Sequence, residues 1–263
     1  MLRTLPDGRL ASGCFDGTIR LWDLKRNAES AHLAGHNDSV SALAILPDGR
    51  LASAGGGYIK LWDLKNGDEC TGLEARMVSA IEPLPDGRLA YGSFEGAIQF
   101  WDLEGGKQSV RFDGHTSVNE LLLLPDGRLA SASWNEGTIR IWDLSSGGIS
   151  ARLKGHSQGV YALCVLPDGR LASVGTGDGI RLWDLKSEVE SAQLDHKCHV
   201  MGLLPDGHLV SAGKRVLLWD LRNHREYAAL ELDARASCLA ILSDGRMVVG
   251  DTAGQLHWLE IIR

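Results

Sequence analysis

The chain lacks long apolar runs and segments of biased composition. Apolar runs such as residues 121–124 are far shorter than the roughly 20 residues that a membrane-spanning helix needs. Residues 1–5 lead directly into a turn, so we expect no signal peptide. No stretch has the composition of a linker or a tail. We therefore expect a single domain over residues 1–263 and no membrane partner.

Cysteine is scarce, and its spacing matches no metal-ligand motif. An odd number of cysteines predicts reduced thiols and a cytoplasmic protein; the five are Cys14, Cys70, Cys164, Cys198 and Cys238. Cys198 lies close to His196 and His199, but a metal site needs more ligands than this group offers. We expect no metal and no cofactor.

Positive net charge is also absent. The formal net charge is -7, whereas a protein that binds nucleic-acid phosphates needs a basic surface. This composition argues against nucleic acid as the main partner.

What the chain has is an internal repeat. A stretch close to L-P-D-G-R-L-A-S recurs seven times, and the tryptophans that follow it are spaced by 36 to 41 residues. The turns begin at Pro6, Pro47, Pro85, Pro125, Pro167, Pro205 and Ser243. The tryptophans are Trp22, Trp62, Trp101, Trp142, Trp183, Trp219 and Trp258. A unit of this length cannot bury its own faces, so it stacks on its neighbours as a propeller or a solenoid.

Each repeat contains several short strands around a Pro-Asp-Gly turn. In the second repeat, residues 40–46, 50–54 and 58–64 predict three strands, and 71–73 predict an outer fourth. Apolar residues fall on both faces of the third strand, as in a sheet that is covered on both sides. Each sheet is thus expected to lie between two others.

The motifs resemble those of the WD-repeat family. The resemblance rests on six Trp-Asp pairs, on the run D-G-T-I-R-L-W-D at residues 16–23, and on Gly-His pairs that end at His36, His115 and His156. It covers essentially the whole chain. It implies an all-β, seven-bladed propeller with four-stranded antiparallel blades.

The resemblance also implies a structural tetrad of His, Ser, acid and Trp in the better-matched repeats. The sets are His156, Ser173, Asp178 and Trp183; His115, Ser131, Glu136 and Trp142; and His36, Ser53 and Trp62, which has no acid. The third, sixth and seventh repeats are degenerate, and in the third Tyr91 replaces the serine. A repeated tryptophan that needs an indole partner fits a structural role.

Two chemical alternatives compete with that structural interpretation. His, Ser and Asp could form a hydrolase triad, but a triad acts once in a cleft, whereas these residues recur at matching offsets. The arginine after each turn could join a basic ring that binds an anion. We expect instead that it pairs across strands with the Trp-Asp aspartate, as in Arg9 with Asp23 and Arg50 with Asp63. We predict no catalytic residue.

Residues that bind a partner are sought where the repeats differ. Near the turn between the second and third strands, four successive repeats carry a large aromatic ring, and a later sector is partly basic. The predicted partner-binding residues are Phe15, Tyr58, Phe94, Trp134, Asn135, Lys214 and Arg215. The alternative is that the aromatic rings fold down and cover the blades.

The two ends of the chain depart from the repeat. The first repeat begins late and lacks its Gly-His loop, and the seventh ends on its third strand, residues 255–261. We therefore expect a first repeat truncated at its N-terminus, a last blade without an outer strand, and a parent protein with a segment upstream of Met1.

The sequence favours a non-enzymatic scaffold that binds a protein or peptide over the loops of a propeller. The alternative is a C-terminal ligand-sensing domain of a larger protein with an upstream NTPase, kinase or protease. An enzyme with its site in a central channel is a third hypothesis, for which Glu82, Asn119 and Glu120 are the few polar candidates.

Overall fold

A computed structural model describes residues 1–26, 28–242 and 244–260, and their regular secondary structure is entirely β-strand. The chain divides into two compact units, residues 1–123 and 124–263. The interpretation of the whole chain as a single domain therefore stays a prediction.

The first unit contains three four-stranded antiparallel sheets and one further strand. The first sheet is β1 (Leu2–Thr4), β2 (Leu10–Gly13), β3 (Thr18–Asp23) and β4 (Ala28–Ala34). The second is β5 (Val40–Ile45), β6 (Leu51–Gly55), β7 (Tyr58–Trp62) and β8 (Glu69–Glu74). The third is β9 (Val78–Pro83), β10 (Arg88–Ser93), β11 (Ala97–Asp102) and β12 (Gln108–Asp113), and it is followed by β13 (Glu120–Leu123).

The second unit contains the remaining strands. In the fourth sheet, β14 (Leu129–Ser133), β15 (Glu136–Trp142) and β16 (Ile149–Lys154) lie in that order. The fifth is β17 (Val160–Val165), β18 (Leu171–Gly175), β19 (Gly179–Asp184) and β20 (Val189–Leu194). The sixth is β21 (Cys198–Leu203), β22 (Leu209–Gly213), β23 (Arg215–Asp220) and β24 (Arg225–Glu231). The seventh is β25 (Ala236–Ile241), β26 (Met247–Asp251) and β27 (Leu256–Leu259).

The Pro-Asp-Gly turn joins the first two strands of a sheet. Gly49 has a φ of 88°, which favours glycine, and its N–H donates to Leu46 O at 2.9 Å. The Asp48 carboxylate accepts the Arg50 N–H at 3.0 Å, which fixes the turn from inside. The repeated tripeptide therefore sets the register of each hairpin.

Burial falls from the second strand of a sheet to the outer one. Every residue of β6, β14, β18, β22 and β26 is buried, whereas β8 is almost entirely exposed. Apolar clusters join successive sheets, as where Ile59 and Leu61 of the second sheet pack with Leu89 and Tyr91 of the third. These seven sheets are the blades of an all-β propeller fold, as predicted. In the described part of the chain, the last blade has three strands.

The arginine that follows each turn does not form the predicted pair. Arg50 Nε donates to Asp48 Oδ2 at 2.7 Å, within the same turn. Asp63 accepts a backbone N–H of the turn after its own strand. The predicted pairs of Arg9 with Asp23 and of Arg50 with Asp63 are therefore wrong, because the carboxylate two residues before the arginine is nearer.

The seventh sheet places its tryptophan out of register. In the other sheets the tryptophan lies opposite the second residue after the Pro-Asp-Gly turn. In the second sheet, for example, Trp62 lies opposite Leu51, which follows Arg50. In the seventh sheet Met247 lies opposite Leu259 instead. A shift of one residue turns a side chain to the other face of a strand, and Trp258 is 42% exposed. The expectation that Trp258 repeats the role of the other tryptophans is wrong. The last predicted strand position, 261, lies outside the described residues.

Candidate functional site

The fifth sheet contains an unbroken chain of hydrogen bonds from an indole to a carboxylate. Trp183 Nε1 donates to Ser173 Oγ at 2.7 Å, and the same oxygen lies 2.6 Å from His156 Nε2. His156 Nδ1 lies 2.9 Å from Asp178 Oδ1. Asp178 also accepts the Ser157 N–H at 2.7 Å. The structure thus brings together the four residues of the predicted tetrad, and each polar group in this buried chain has a partner.

Burial limits the chemistry that this hydrogen-bond network can perform. Burial lowers the pKa of His156, against the opposing hydrogen bond and charge of Asp178. Burial raises the pKa of Asp178, but hydrogen bonds from His156 and the Ser157 N–H outweigh it, so the pKa is lowered overall. The Ser173 residue has no exposed surface. A nucleophile has to reach its substrate, so this geometry supports a structural role.

Simpler versions of the network occur in the first two sheets. Trp62 Nε1 donates to Ser53 Oγ at 2.7 Å, which lies 2.7 Å from His36 Nε2. His36 Nδ1 lies 2.8 Å from Gly55 O, so a backbone carbonyl stands where the fifth sheet has a carboxylate. In the first sheet Trp22 donates to its serine at 2.8 Å.

The predicted set of the fourth sheet is divided between the two compact units. His115 belongs to the first unit and is buried. In the second unit Trp142 Nε1 donates to Ser131 Oγ at 2.7 Å. Glu136 Oε2 accepts Arg140 Nη2 at 3.0 Å.

The sixth sheet contains a network that the sequence interpretation missed. Trp219 Nε1 donates to Ser211 Oγ at 2.8 Å, and that oxygen lies 2.6 Å from His196 Nδ1. Burial lowers the pKa of His196 to about 4, and the Arg215 guanidinium acts in the same direction. The signal was the spacing of His196 from Ser211, but no glycine precedes this histidine. His196 is therefore a buried structural residue and does not belong to an exposed basic sector.

The third sheet lacks the acceptor altogether. Trp101 is buried, and its Nε1 has no hydrogen-bond partner among the described residues. Tyr91, which replaces the serine, accepts a hydrogen bond from Gln108 instead, at 2.9 Å. Burial raises the pKa of Tyr91 to about 12. Tyr91 in place of the serine thus leaves the Trp101 indole N–H without an acceptor among the described residues.

The first unit presents three of the predicted partner-binding residues near the turns between second and third strands, an edge that we call the loop face. Phe15 is 95% exposed, Tyr58 is 43% exposed and Phe94 is half-buried. Sequence reasoning missed Met77, which is 54% exposed and has a φ of 58°. Its carbonyl accepts the Phe94 N–H at 2.9 Å. The available signal was that Ala75-Arg76 stands in this loop where the Gly-His pair would stand, directly before Met77.

The turn that carries Phe15 is held by its neighbours. Asp16 Oδ1 accepts the Thr18 N–H at 3.0 Å, and Gly17 follows with a φ of 80°. The Val40 N–H donates to Cys14 O at 3.0 Å, which ties this turn to the next sheet. An ordered turn therefore displays the exposed aromatic ring.

The second unit presents the other four predicted partner-binding residues. Trp134 is 46% exposed at the tip of the β14–β15 hairpin, beside the exposed Asn135. A Cβ at Gly159 would overlap the Trp134 backbone, so close packing of the next loop fixes this tip. Lys214 is exposed on the β22–β23 turn.

Arg215, the last of these residues, already has ionic partners within the chain. Arg215 Nη2 lies 2.9 Å from Glu226 Oε1, and its Nε lies 3.6 Å from Glu231 Oε1. The positive charge of Arg215 is therefore largely compensated by these glutamates, whereas Lys214 is exposed.

The described residues include neither a group of side chains that could hold a metal ion nor a helix that could span a membrane. No group of three or more His, Cys, Asp or Glu side chains in residues 1–26, 28–242 and 244–260 could hold a metal ion. Burial raises the pKa of the Cys198 thiol to about 12. No helix among the described residues could cross a membrane.

The repeats match those of known proteins. The chain matches the family described as WD domain, G-beta repeat over residues 2–23, 28–63, 106–143 and 147–184, which is just over half of its length. The tryptophans of the third, sixth and seventh repeats lie outside these segments. The third repeat lacks the serine, the sixth lacks the Gly-His pair, and the seventh lacks the tryptophan register.

Several curated proteins are similar to parts of the chain. The small ribosomal subunit protein RACK1y of Oryza sativa subsp. japonica is 33% identical over 98 residues, 36% of this chain and 29% of that protein. The target of rapamycin complex subunit wat1 of Schizosaccharomyces pombe is 30% identical over 129 residues, 46% of this chain and 41% of that protein. The U3 small nucleolar RNA-associated protein 15 homolog of Xenopus tropicalis is 29% identical over 130 residues, 47% of this chain and 25% of that protein. The matches span less than half the length of each relative.

Proposed function

This chain belongs to the WD domain, G-beta repeat family, and we propose that it is a non-enzymatic scaffold that binds a protein or peptide through its loop face. The residues assigned to binding are Phe15, Tyr58, Phe94, Trp134, Asn135, Lys214 and Arg215, and Met77 is now added. The elements that recur from repeat to repeat are accounted for by turns, strand register and indole hydrogen bonds. The variable loops are what remains for recognition.

The observation that carries this proposal is the exposure of Phe15. The ring is 95% exposed on a turn whose backbone is fixed. A ring that covered its own blade would be buried, so the alternative of a folded-down aromatic does not fit Phe15. Large rings on rigid turns are suited to be interface anchors, because little conformational entropy is lost when they dock.

The names of the relatives support a role in assemblies. One relative is named as a ribosomal subunit protein and another as a subunit of a target of rapamycin complex. A third is named for association with a small nucleolar RNA, so the exclusion of a nucleic-acid partner stays a prediction. The net charge of -7 supports that exclusion.

A role as the C-terminal ligand-sensing domain of a larger protein is the second candidate. The segment matched in the Xenopus relative makes up 25% of that protein, so similar repeats occur within longer chains. Mass spectrometry of the intact gene product tests this. An upstream NTPase, kinase or protease domain would support the sensor, and a product of 263 residues would contradict it.

We propose a cytoplasmic location, supported by an odd number of cysteines without the spacing of a disulfide framework. Fractionation of cells that produce the tagged protein tests this proposal, and recovery in a secreted or membrane fraction would contradict it.

The scaffold proposal is tested by affinity capture with identification of the bound proteins. The test variant combines Phe15→Ala, Tyr58→Ala and Trp134→Ala, all at exposed rings. The control is Leu230→Ala, at an apolar side chain that is 45% exposed on an outer strand. We expect specific partners to be lost from the triple variant and kept by the control. Equal recovery from wild type and the triple variant would reject the loop face.

A further inference from the structure

On the loop face of the first unit, an acidic loop separates the turn that carries Phe15 from the turn that precedes Tyr58. A Cβ at Gly17, in the first of these turns, would lie 3.0 Å from Asp38 O. A Cβ at Gly56, in the second, would lie 3.2 Å from Asp38 N. The Asp38 backbone is therefore packed between the two turns.

The next loop along the chain continues this surface to the third sheet. The Ala75 N–H donates to Gly57 O, beside Tyr58, at 2.9 Å. The Phe94 N–H donates to Met77 O, also at 2.9 Å. Neighbouring loops thus contact each other from the first sheet to the third and form one surface, made of residues 14–17, 36–39, 55–58, 74–77 and 93–96.

Three large apolar side chains are exposed on this surface. Phe15, Tyr58 and Met77 come from the first, third and fourth of the five loops. Backbone contacts fix the loops beneath them, because a Cβ at Gly17 or Gly56 would meet the backbone of the neighbouring loop. A surface whose backbone is already held in place loses little conformational entropy when a partner docks on it.

Carboxylates outnumber cations in the same five loops. One guanidinium, that of Arg76, stands against four exposed acidic residues, which are Asp16, Asp38, Glu74 and Glu95. Arg76 Nη2 lies 3.5 Å from Glu74 Oε1. Arg20 reaches Asp16 from β3, with 3.6 Å between Nη2 and Oδ2. Even when that second guanidinium is included, four negative charges face two positive ones.

The interleaving of acidic and apolar residues limits the partners that fit this surface. Asp38 lies between the turns of Phe15 and Tyr58, and Glu95 directly follows Phe94. A purely apolar partner that covered the rings would also remove these carboxylates from water, and a buried charge is costly unless it is paired. A partner without apolar groups would leave the rings in water. A partner with both kinds of side chain avoids the two costs.

We propose that the loop face of the first unit binds a peptide segment in which apolar side chains are interspersed with lysine or arginine. The apolar side chains pack on Phe15, Tyr58 and Met77, and the cations pair with Asp38 and Glu95. This inference rests on the proposed scaffold function and specifies the chemistry of the scaffold's partner.

The test is fluorescence anisotropy at low ionic strength with three labelled peptides of equal length. The first has leucine and lysine interspersed with glycine and serine, the second has glutamate in place of lysine, and the third has serine in place of leucine. We expect the leucine-lysine peptide to bind wild type at least about tenfold more tightly than either of the others. Equal binding by the glutamate peptide or by the serine peptide would overturn the proposal.

A paired variant, Asp38→Asn with Glu95→Gln, removes two charges and keeps the side-chain shapes. Asparagine retains an oxygen that can accept the Ser39 N–H, so the loop keeps this hydrogen bond. We expect the leucine-lysine peptide to bind about tenfold more weakly and with a smaller dependence on salt. The matched control, Asp68→Asn with Glu104→Gln, removes the same charges from exposed turns at the other end of the strands and should bind like wild type. Equal binding by the two paired variants would reject the site.

Affinity capture separates this inference from the scaffold proposal. Loss of captured partners from the triple variant, together with equal binding of the three peptides, would keep the scaffold and reject a partner that is both apolar and basic. A preference for the leucine-lysine peptide that is lost in the Asp38 and Glu95 variant would support the inference. Equal capture by wild type and the triple variant would reject the scaffold, and the inference with it.

Discussion

The fifth and third sheets each have a tryptophan at the same register, but only the fifth sheet provides a hydrogen-bond acceptor for the indole N–H. Trp183 and Trp101 each lie opposite a leucine of the second strand, and both are buried. Trp183 donates to Ser173, whereas Trp101 has no partner among the described residues. Both sheets nevertheless have four strands. The apolar pattern and the turn therefore specify the blade, and the polar network adds stability to it.

The largest effect is expected when the fifth sheet is made to resemble the third. Ser173→Ala removes the acceptor of Trp183 and one of the two partners of His156, and leaves Trp183 Nε1 and His156 Nε2 buried and unpaired. We expect the free energy of unfolding to fall by about 2 to 3 kcal/mol, measured by urea denaturation. Ser191→Ala is the control, because its hydroxyl lies on the outer strand of the same sheet. Equal losses in the two variants would mean that the network contributes nothing beyond an ordinary surface hydrogen bond.

Acid should destabilise the sixth sheet more than the third. The sixth sheet has a buried histidine in its hydrogen-bond network, and the third sheet has no such network among the described residues. The pKa of folded His196 is about 4, below that of an unfolded imidazole, about 6.5. The unfolded state therefore binds more protons between these values, and stability falls as pH is lowered through that window. We expect about 1 to 2 kcal/mol to be lost, after allowance for solvent screening.

The check is the pH dependence of the unfolding free energy in wild type and in His196→Gln. The variant should be less stable than wild type at neutral pH and should show a shallower fall in acid. An unchanged slope in the variant would assign the acid sensitivity to other groups, such as His36 and His156, whose pKa values are also lowered by burial.

A smaller difference should separate the two tryptophans themselves. Trp183→Phe removes a hydrogen-bonded N–H and leaves Ser173 with one partner fewer. Trp101→Phe removes an N–H that is already unpaired, while both lose similar ring area. We expect Trp101→Phe to be the less destabilising by about 1 kcal/mol, as measured by thermal and urea unfolding. The opposite order would mean that Trp101 has a partner in solution.

The sequence predicted the fold well because each repeat contains the residues that set its strand register. Turn tripeptides, alternating apolar residues and a fixed tryptophan position each act over short distances, so seven copies predict seven blades. The tetrad residues of the fifth sheet followed from spacing within the family resemblance. The exposure of Phe15, by contrast, depends on how its turn is held, and the sequence left open whether the ring is buried.

What the sequence could not show depends on contacts between elements. The turn arginines have an aspartate two residues before them and another across the strands, and only geometry decides between them. Trp258 matches the spacing of the repeat but lies one residue out of register, which a spacing rule tolerates. His196 lost its preceding glycine, so its contact with Ser211 had no motif to reveal it.

The smallest expected effect is a gain in the fourth sheet. In the second sheet the third-strand cation Lys60 pairs with Glu69 of the outer strand at 2.6 Å. The corresponding outer-strand position in the fourth sheet is Ile149, since Ile149 and Glu69 each lie opposite the tryptophan. Arg140 Nε and Nη1 are buried and have no hydrogen-bond partner among the described residues. Burial accordingly lowers the pKa of Arg140, because the charged form is poorly compensated.

Ile149→Glu supplies the carboxylate that Glu69 and Glu190 provide in the second and fifth sheets. We expect it to raise the unfolding free energy by about 0.5 to 1 kcal/mol, because the new hydrogen bonds to a buried guanidinium outweigh the lost apolar contact. The matched reverse change, Glu190→Ile in the fifth sheet, removes the partner of Arg181 and should be destabilising. Loss of stability in Ile149→Glu would show that Ile149 contributes more through packing than Arg140 loses through its missing partner. The fourth sheet would then be a second case, beside the third, in which apolar contacts stabilise a blade without a complete polar network.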